Sequence, residues 1–393
     1  SFQEGDGMAK SFDEINSKIK DGEVVVVTAE EFKDLVEQKG VSQAAKEVDV
    51  VTTATFSPMC SSGAFLNFGH SDPPIRMSKI WLNDVPAYGG LAAVDTYIGA
   101  TELSETRGFE YGGAHVIQDL LDGKRVELRA ESYGTDCYPR KEITTYITLD
   151  DLNQAYLYNP RNVYQNYNAA TNSTDRMLHT YMGTLLPQCG NVTYCTSGEL
   201  SPLFNDPVFR TIGIGTRIFL GGAQGYVAWE GTQYIRNQEV IRDGVVQYSG
   251  ATLAVIGDMK NMSSRFIRAA SFEKYGTTLF VGIGIPIPVL DEDMASFLAV
   301  RNRDIYTQIV DYGVPRRSRP VLRKVSYEEL RSGSVELNGK NVPTAPLSSL
   351  RKAREIAQLL KSLISQGKFF LQEPIQKLHE EGRFNPLKET EVE

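Results

Sequence analysis

The sequence predicts a mixed α/β fold: a mixed sheet with glycine-rich central strands, followed by a C-terminal helical tail. Three observations carry this. β-Branched runs alternate with capped helical stretches early in the chain. The strand-like runs of the middle are punctuated by glycine, as in 212–216, 219–225 and 277–285. Residues 348–363 place Leu350, Ile356, Leu359, Leu360 and Leu363 at helical spacing. The chain of 393 residues can bury a large core without cross-links. It divides into a main domain over 8–345 and a helical extension over 346–393. Ser1 to Gly7, ahead of Met8, are set aside from the fold.

Residues 13–19 predict a short helix, and 22–27 (Gly-Glu-Val-Val-Val-Val) a buried strand. Thr28-Ala-Glu-Glu31 reads as a capping box. The Thr28 hydroxyl can accept the Glu31 N–H while the Glu31 carboxylate reaches back. The helix it opens runs to about Gln38 and closes at Gly40. A second short helix over 42–47 leads into a β-branched strand over 48–56. Cys60 then lies just beyond that strand, where open α/β sheets bind ligands. Asp72-Pro-Pro74 is a rigid turn, 83–90 a loop rich in turn signals, and 92–101 fits either strand or helix. A helix over 114–121, a strand over 124–133, a turn carrying Cys137 and a strand over 142–148 come next. Pro139 keeps the first of these strands from running straight on. Residues 150–158 predict a helix, and the Asn- and Tyr-rich 159–172 a long loop suited to covering a site. Strands follow over 245–248, 252–256 and 277–285, the last broken by Pro286 and Pro288. Asp291 can cap a helix to Ala299, and Asn338-Gly339 centres a hairpin over 335–342.

A net charge of -8 argues against a phosphate-tracking surface, so no nucleic-acid partner is expected. No run approaches the roughly 18 apolar residues of a membrane helix. Four cysteines in so long a chain do not make a disulfide scaffold, which fits a reducing, cytoplasmic setting. Cys189 and Cys195 stand five residues apart, unlike a zinc knuckle, and no metal site is expected; a cluster drawing on three or four of the cysteines stays open. The glycine runs match neither the dinucleotide fingerprint nor the Walker pattern, so close packing explains them better than a nucleotide.

Cys60 and Cys137 carry the chemistry best. Most single cysteines are inert packing. These two, however, each follow a β-like run in a turn of small, hydroxylated and glycine residues, where backbone N–H groups or Arg140 and Lys141 could favour a thiolate. The segments Thr53-Ala-Thr-Phe-Ser-Pro-Met-Cys60-Ser-Ser-Gly-Ala and Tyr133-Gly-Thr-Asp-Cys137-Tyr-Pro-Arg140 resemble the two cysteine motifs of the homocysteine-biosynthesis sulfurtransferase family of anaerobic archaea and bacteria. The likeness spans roughly Met8 to Val342. It implies conversion of L-aspartate semialdehyde and sulfide, or another sulfur donor, to L-homocysteine. It implies a persulfide on Cys137 with Cys60 assisting delivery or reduction, and the two roles stay interchangeable. It also implies a ferredoxin-like iron–sulfur partner as electron source, so any iron–sulfur cluster is expected on that partner rather than here. Some members carry paired CBS modules where this chain ends in a helical tail, which puts adenosine-ligand regulation in doubt. For the substrate, Arg140, Arg76 and Arg107 are candidate carboxylate binders, and His70 or His115 candidate proton donors. A homo-oligomer is compatible with all of this. The competing reading is an iron–sulfur or sulfur-carrier protein without turnover of its own.

Overall fold

The computed structural model of the chain describes residues 9–162, 167–236, 251–382 and 385–390. It is mixed α/β. A 14-stranded sheet contains the strand Val50–Pro58 near one end and the strand Gly63–Asn67 far along it, with five strands between them. Laid flat, those six spacings would span about 29 Å at about 4.8 Å each. The link of residues 59–62 can bridge no more than about 17 Å. The sheet therefore curls, and Cys60 sits on the short link that forces it to.

The helix Gly113–Leu121 fills the curl. Ala114, Val116, Ile117 and Leu120 are fully buried against Leu66, Ile80, Ile98, Leu128 and Val281 of the surrounding strands. Gly113 allows this depth: a Cβ there would meet the Gly99 carbonyl oxygen at 1.8 Å. Outside the curl, the strands Val50–Pro58 and Gly276–Pro288 pair antiparallel along nine residues. Helix Leu350–Ser365 lies on them, and the Thr52 hydroxyl donates to the Ala357 carbonyl at 2.9 Å. Gly282 and Gly284 make room for it, since a Cβ on Gly282 would lie 2.7 Å from the Ile356 side chain. The helix of the C-terminal extension is thus part of the core, with Ile356, Ala357 and Leu360 fully buried.

A second sheet of six strands joins Ala169–Thr171, Val192–Tyr194, Tyr306–Asp311, Val321–Ser326, Ser334–Leu337 and Lys340–Pro346. Its last two strands form the hairpin around Asn338 and Gly339, both at positive φ. The N-terminal helices stand as the caps predict: the Thr28–Glu31 box is closed by bonds of 2.7 and 3.3 Å.

Four expectations are corrected. The stretch 159–172 is not one long loop: its start belongs to the strand Gln154–Asn162, and Ala169–Thr171 is a strand of the second sheet. Residues 150–158 form no helix; a single 3-10 turn, Leu149–Asp151, leads into the strand Gln154–Asn162, where Ala155 and Leu157 alternate inward with Tyr156 outward. Residues 83–90 are not a loop: Asn83 and Asp84, both at positive φ, make a tight turn between Lys79–Leu82 and Val85–Tyr88. Pro286 and Pro288 do not break their strand. The N–H of Val289 donates to Asp49 of the edge-side neighbour, so the even positions point the other way, where pairing with Arg217–Leu220 stops at Gly284. The missing N–H groups therefore cost no ladder bond. The strand expected over 245–248 lies outside the described residues.

Candidate active site

The two cysteine motifs occupy opposite ends of the sheet. Five successive antiparallel neighbours, Gly63–Asn67, Asp95–Gly99, Val85–Tyr88, Lys79–Leu82 and Val126–Glu131, connect them. Four reversals make the first and last strands run the same way. Cys60 precedes the first and Cys137 follows the last, so the thiols lie at opposite ends, with about 19 Å of sheet width also between them. The structure does not bring Cys60 and Cys137 together.

Around Cys60 the chain is tightly held. Met59 N–H donates to the Leu279 carbonyl at 2.8 Å, and Asn159 donates to the Ser62 hydroxyl at 2.7 Å. Asn159, from the stretch expected to cover a site, is buried beneath the turn; Tyr164 and Asn166 of that stretch lie outside the described residues. The Cys60 thiol lies 3.2 Å from the Thr278 hydroxyl and also hydrogen-bonds with the Tyr275 hydroxyl. Cys195 directly follows the strand Val192–Tyr194 of the second sheet at the same junction. Its carbonyl accepts a bond from Ser348 at 2.9 Å, and the Ser348 and Ser57 hydroxyls pair at 2.6 Å three residues before Cys60. Tyrosines pack together beside the thiols. Tyr181 and Tyr312 share a hydroxyl–hydroxyl bond of 2.9 Å, and the Tyr181 ring lies 6.2 Å from that of Tyr275 and 6.3 Å from that of Tyr167. The Arg319 guanidinium stacks 3.9 Å above the Tyr312 ring.

Enclosure sets the electrostatics of this place. Burial pushes the Cys60 thiol above its ordinary value, against the opposing pull of the Thr278 and Tyr275 hydroxyls. Burial, with the neighbouring Cys60 adding to it, pushes Cys195 up to about 12. Tyr275 is also pushed up to about 12, chiefly by burial and then by Cys60. At neutral pH the pocket therefore holds two thiols and several phenols in their protonated forms. It can donate protons and hydrogen bonds readily, and a thiolate forms there only with a partner that stabilises it.

Cys137 has opposite surroundings. It is exposed in the turn between the paired strands Val126–Glu131 and Glu142–Ile147. Thr135 and Tyr138 close that turn with reciprocal backbone bonds of 2.9 and 3.1 Å, and the Thr135 hydroxyl lies 3.5 Å from the thiol. His70 stacks on Tyr138 with ring centroids 6.0 Å apart. Arg76 donates to the Tyr133 hydroxyl at 2.8 Å, and the Arg140 N–H donates to the Pro74 carbonyl at 3.3 Å. His70 and Arg76 thus pack on tyrosines that flank Cys137, and Arg140 follows it in the same turn.

Arg107 and His115 belong to neither place. Arg107 stacks 4.2 Å over Tyr111, and His115 accepts the Gly112 N–H at Nδ1 and lies 3.5 Å from the Ser271 hydroxyl. Ser271 pairs with Thr277, whereas Thr278 meets Cys60; successive strand residues face opposite sides, so His115 is on the far face from that thiol. Burial lowers its pKa. Cys189 is buried packing. Among the described residues no group of three His, Cys, Asp or Glu side chains could hold a metal ion, and no helix is long and apolar enough to cross a membrane. Sequence reasoning missed Tyr181, Tyr275, Tyr312, Thr278 and Arg319 as parts of one pocket. They come from separate strands and turns, and the only signal was the proline-bounded basic run 315–320.

Residues 24–371 match the model of a family described as homocysteine biosynthesis enzyme, sulfur-incorporation. The chain is similar to the L-aspartate semialdehyde sulfurtransferase of Methanosarcina acetivorans, at 58% identity over 98% of this chain and 75% of the relative. It is also similar to the protein of the same name from Methanocaldococcus jannaschii, at 55% identity over 94% of this chain and 73% of the relative. No solved structure matches it.

Proposed function

This chain belongs to the family of homocysteine biosynthesis enzymes that incorporate sulfur, and we propose that it makes L-homocysteine from L-aspartate semialdehyde with its thiols divided between two places. It is an enzyme, a sulfurtransferase. The observation that carries the division is the contrast between an exposed Cys137 and a Cys60 enclosed with a second thiol, Cys195.

Cys137, open to solvent, attacks a polysulfide or persulfide donor, keeps its terminal sulfur as a persulfide, and releases the rest of the donor as a thiolate or shorter polysulfide. Passage of that sulfur to the pocket requires the hairpin of this or a second copy to approach Cys60. In the pocket, sulfide adds to the aldehyde, and loss of water from the thiohemiacetal leaves a thioaldehyde. Tyr275, which hydrogen-bonds with Cys60, gives the proton that departs with the hydroxyl. Attack of the Cys60 thiolate on the thioaldehyde sulfur sends the electron pair to carbon, where a proton completes the CH2 group. The product is a mixed disulfide. Cys195 attacks the Cys60 sulfur, homocysteine leaves as its thiolate and takes up a proton, and a Cys60–Cys195 disulfide remains. The sum is aldehyde plus hydrogen sulfide plus two thiols to homocysteine, water and a disulfide. Sulfur that starts as the outer atom of the Cys137 persulfide is released as sulfide when two electrons from an external iron–sulfur reductant cleave the S–S bond and return the Cys137 thiol. Two more electrons from the same reductant reset the Cys60–Cys195 disulfide, and we assign the iron–sulfur cluster that carries them to that partner protein.

The test is anaerobic incubation with sulfide, a reductant and L-aspartate semialdehyde, followed by assay of homocysteine. Wild type should form it and Cys60→Ala should not. An iron-containing protein that forms none, even with a ferredoxin-type partner added, would favour a sulfur carrier instead.

A further inference from the structure

We propose that Arg319 is the subsite for the carboxylate of the amino-acid aldehyde, in the tyrosine-lined pocket beside Cys60. This rests on the reading above, that the aldehyde reacts in that pocket. The Arg319 guanidinium stacks on the Tyr312 ring, 3.9 Å from its centre. Its Nε is buried and has no hydrogen-bond partner. Among the described residues no carboxylate or carbonyl takes up its terminal nitrogens either. A buried guanidinium N–H left unpaired costs stability, and native proteins rarely tolerate one without a use for it. Stacking fixes the plane of the group while leaving its fork of donors vacant, the arrangement that receives a carboxylate through two parallel bonds.

Three other arginines near the thiols are already engaged. Arg161, beside the Cys60 turn, donates to Thr232 and Gln233. Arg76 and Arg140 belong to the Cys137 end, with Arg76 on Tyr133 and the Nε of Arg140 on the Glu142 carbonyl. Asp311, the acidic group ending the strand that leads to Arg319, is taken by the N–H and hydroxyl of Ser173 and the N–H of Gly313. Among the described residues no ion pair joins it to the guanidinium. Tyr312 links Arg319 to the thiol through contacts already described: its hydroxyl bonds Tyr181, whose ring packs on Tyr275, which bonds Cys60.

The experiment compares wild type, Arg319→Gln and Arg319→Lys with two aldehydes, L-aspartate semialdehyde and propanal, which has no carboxylate. The glutamine variant should raise KM for L-aspartate semialdehyde about tenfold or more while kcat stays within about threefold, the lysine variant should fall between, and propanal should be turned over equally by all three. Binding of the unreactive L-homoserine, read as a thermal shift, should be seen in wild type and lost in Arg319→Gln. An unchanged KM, or equal losses with both aldehydes, would overturn the assignment. If Arg319→Gln does not fold, the KM of Arg319→Lys decides alone. A wild type that makes no homocysteine would refute the functional reading, whereas the L-homoserine shift still tests Arg319 by itself.

Discussion

The Cys60 pocket and the Cys137 hairpin are built from similar local sequence, a β run followed by a turn of small residues around one thiol, yet they end in opposite environments. The first turn joins strands that the sheet places far apart, so it is drawn into the core and roofed by Thr278, Tyr275 and a second sheet. The second joins strands that are already neighbours, so nothing pulls it inward, and Cys137 stays exposed. Local sequence thus sets the turn, while the sequence distance between paired strands sets whether the turn is buried. For chemistry, an exposed thiol suits exchange with a soluble sulfur donor, and an enclosed one suits an intermediate that water would destroy.

The comparison can be broken at either end. The largest expected effect is Cys137→Ala, which should abolish homocysteine formation from a persulfide donor, a loss of about a hundredfold or more, while leaving the melting temperature near that of wild type because the side chain is exposed. Full activity in this variant would remove the loading role. Next, Cys195→Ser should stop the enzyme after the mixed disulfide forms, which mass spectrometry of the intact protein would register as homocysteine bound to Cys60; multiple turnover without that adduct would count against Cys195 as the resolving thiol. A smaller loss is expected for Tyr275→Phe, about tenfold in kcat, the scale of one hydrogen bond to a reacting group.

The mildest test is of pH. Because burial raises the Cys60 pKa, its thiolate fraction at any given pH is below that of a free thiol and keeps growing as pH climbs past the ordinary value of about 8.5. Alkylation of Cys60, followed peptide by peptide, should therefore rise without levelling through about pH 9, with Cys137 labelled first. Levelling below about pH 8 would show a thiolate stabilised in the resting pocket. The linked stability has the same origin: the folded state favours the neutral thiol, so that contribution is present below the unfolded pKa and is lost as pH rises above it.

Much of the framework was legible locally. The Thr28 box, the helix over 113–121, the Asn338-Gly339 hairpin and the apolar face from Leu350 to Leu363 are signals within one element, and each stands where its residues require. What failed locally failed for reasons of partnership. The stretch 150–158 has no proline or glycine to forbid a helix, and only pairing with Gly63–Asn67 and Leu253–Asp258 makes it a strand. Pro286 and Pro288 look like breakers until the direction of their missing N–H groups is known. The site divides the same way. His70 and Arg76 pack on tyrosines that flank Cys137 and Arg140 lies in its turn, whereas the Cys60 pocket takes Thr278, Tyr275, Cys195, Tyr181, Tyr312 and Arg319 from segments that only the closed fold brings together.

The most direct test of the division of labour is to locate the sulfur. Protein incubated anaerobically with polysulfide, without aldehyde, would be digested and its cysteine peptides weighed in wild type, Cys60→Ala and Cys137→Ala. The account predicts one extra sulfur atom on the Cys137 peptide in wild type and in Cys60→Ala, and none on any cysteine in Cys137→Ala. An extra sulfur carried by Cys60 in Cys137→Ala, with homocysteine still formed when aldehyde is added, would contradict it.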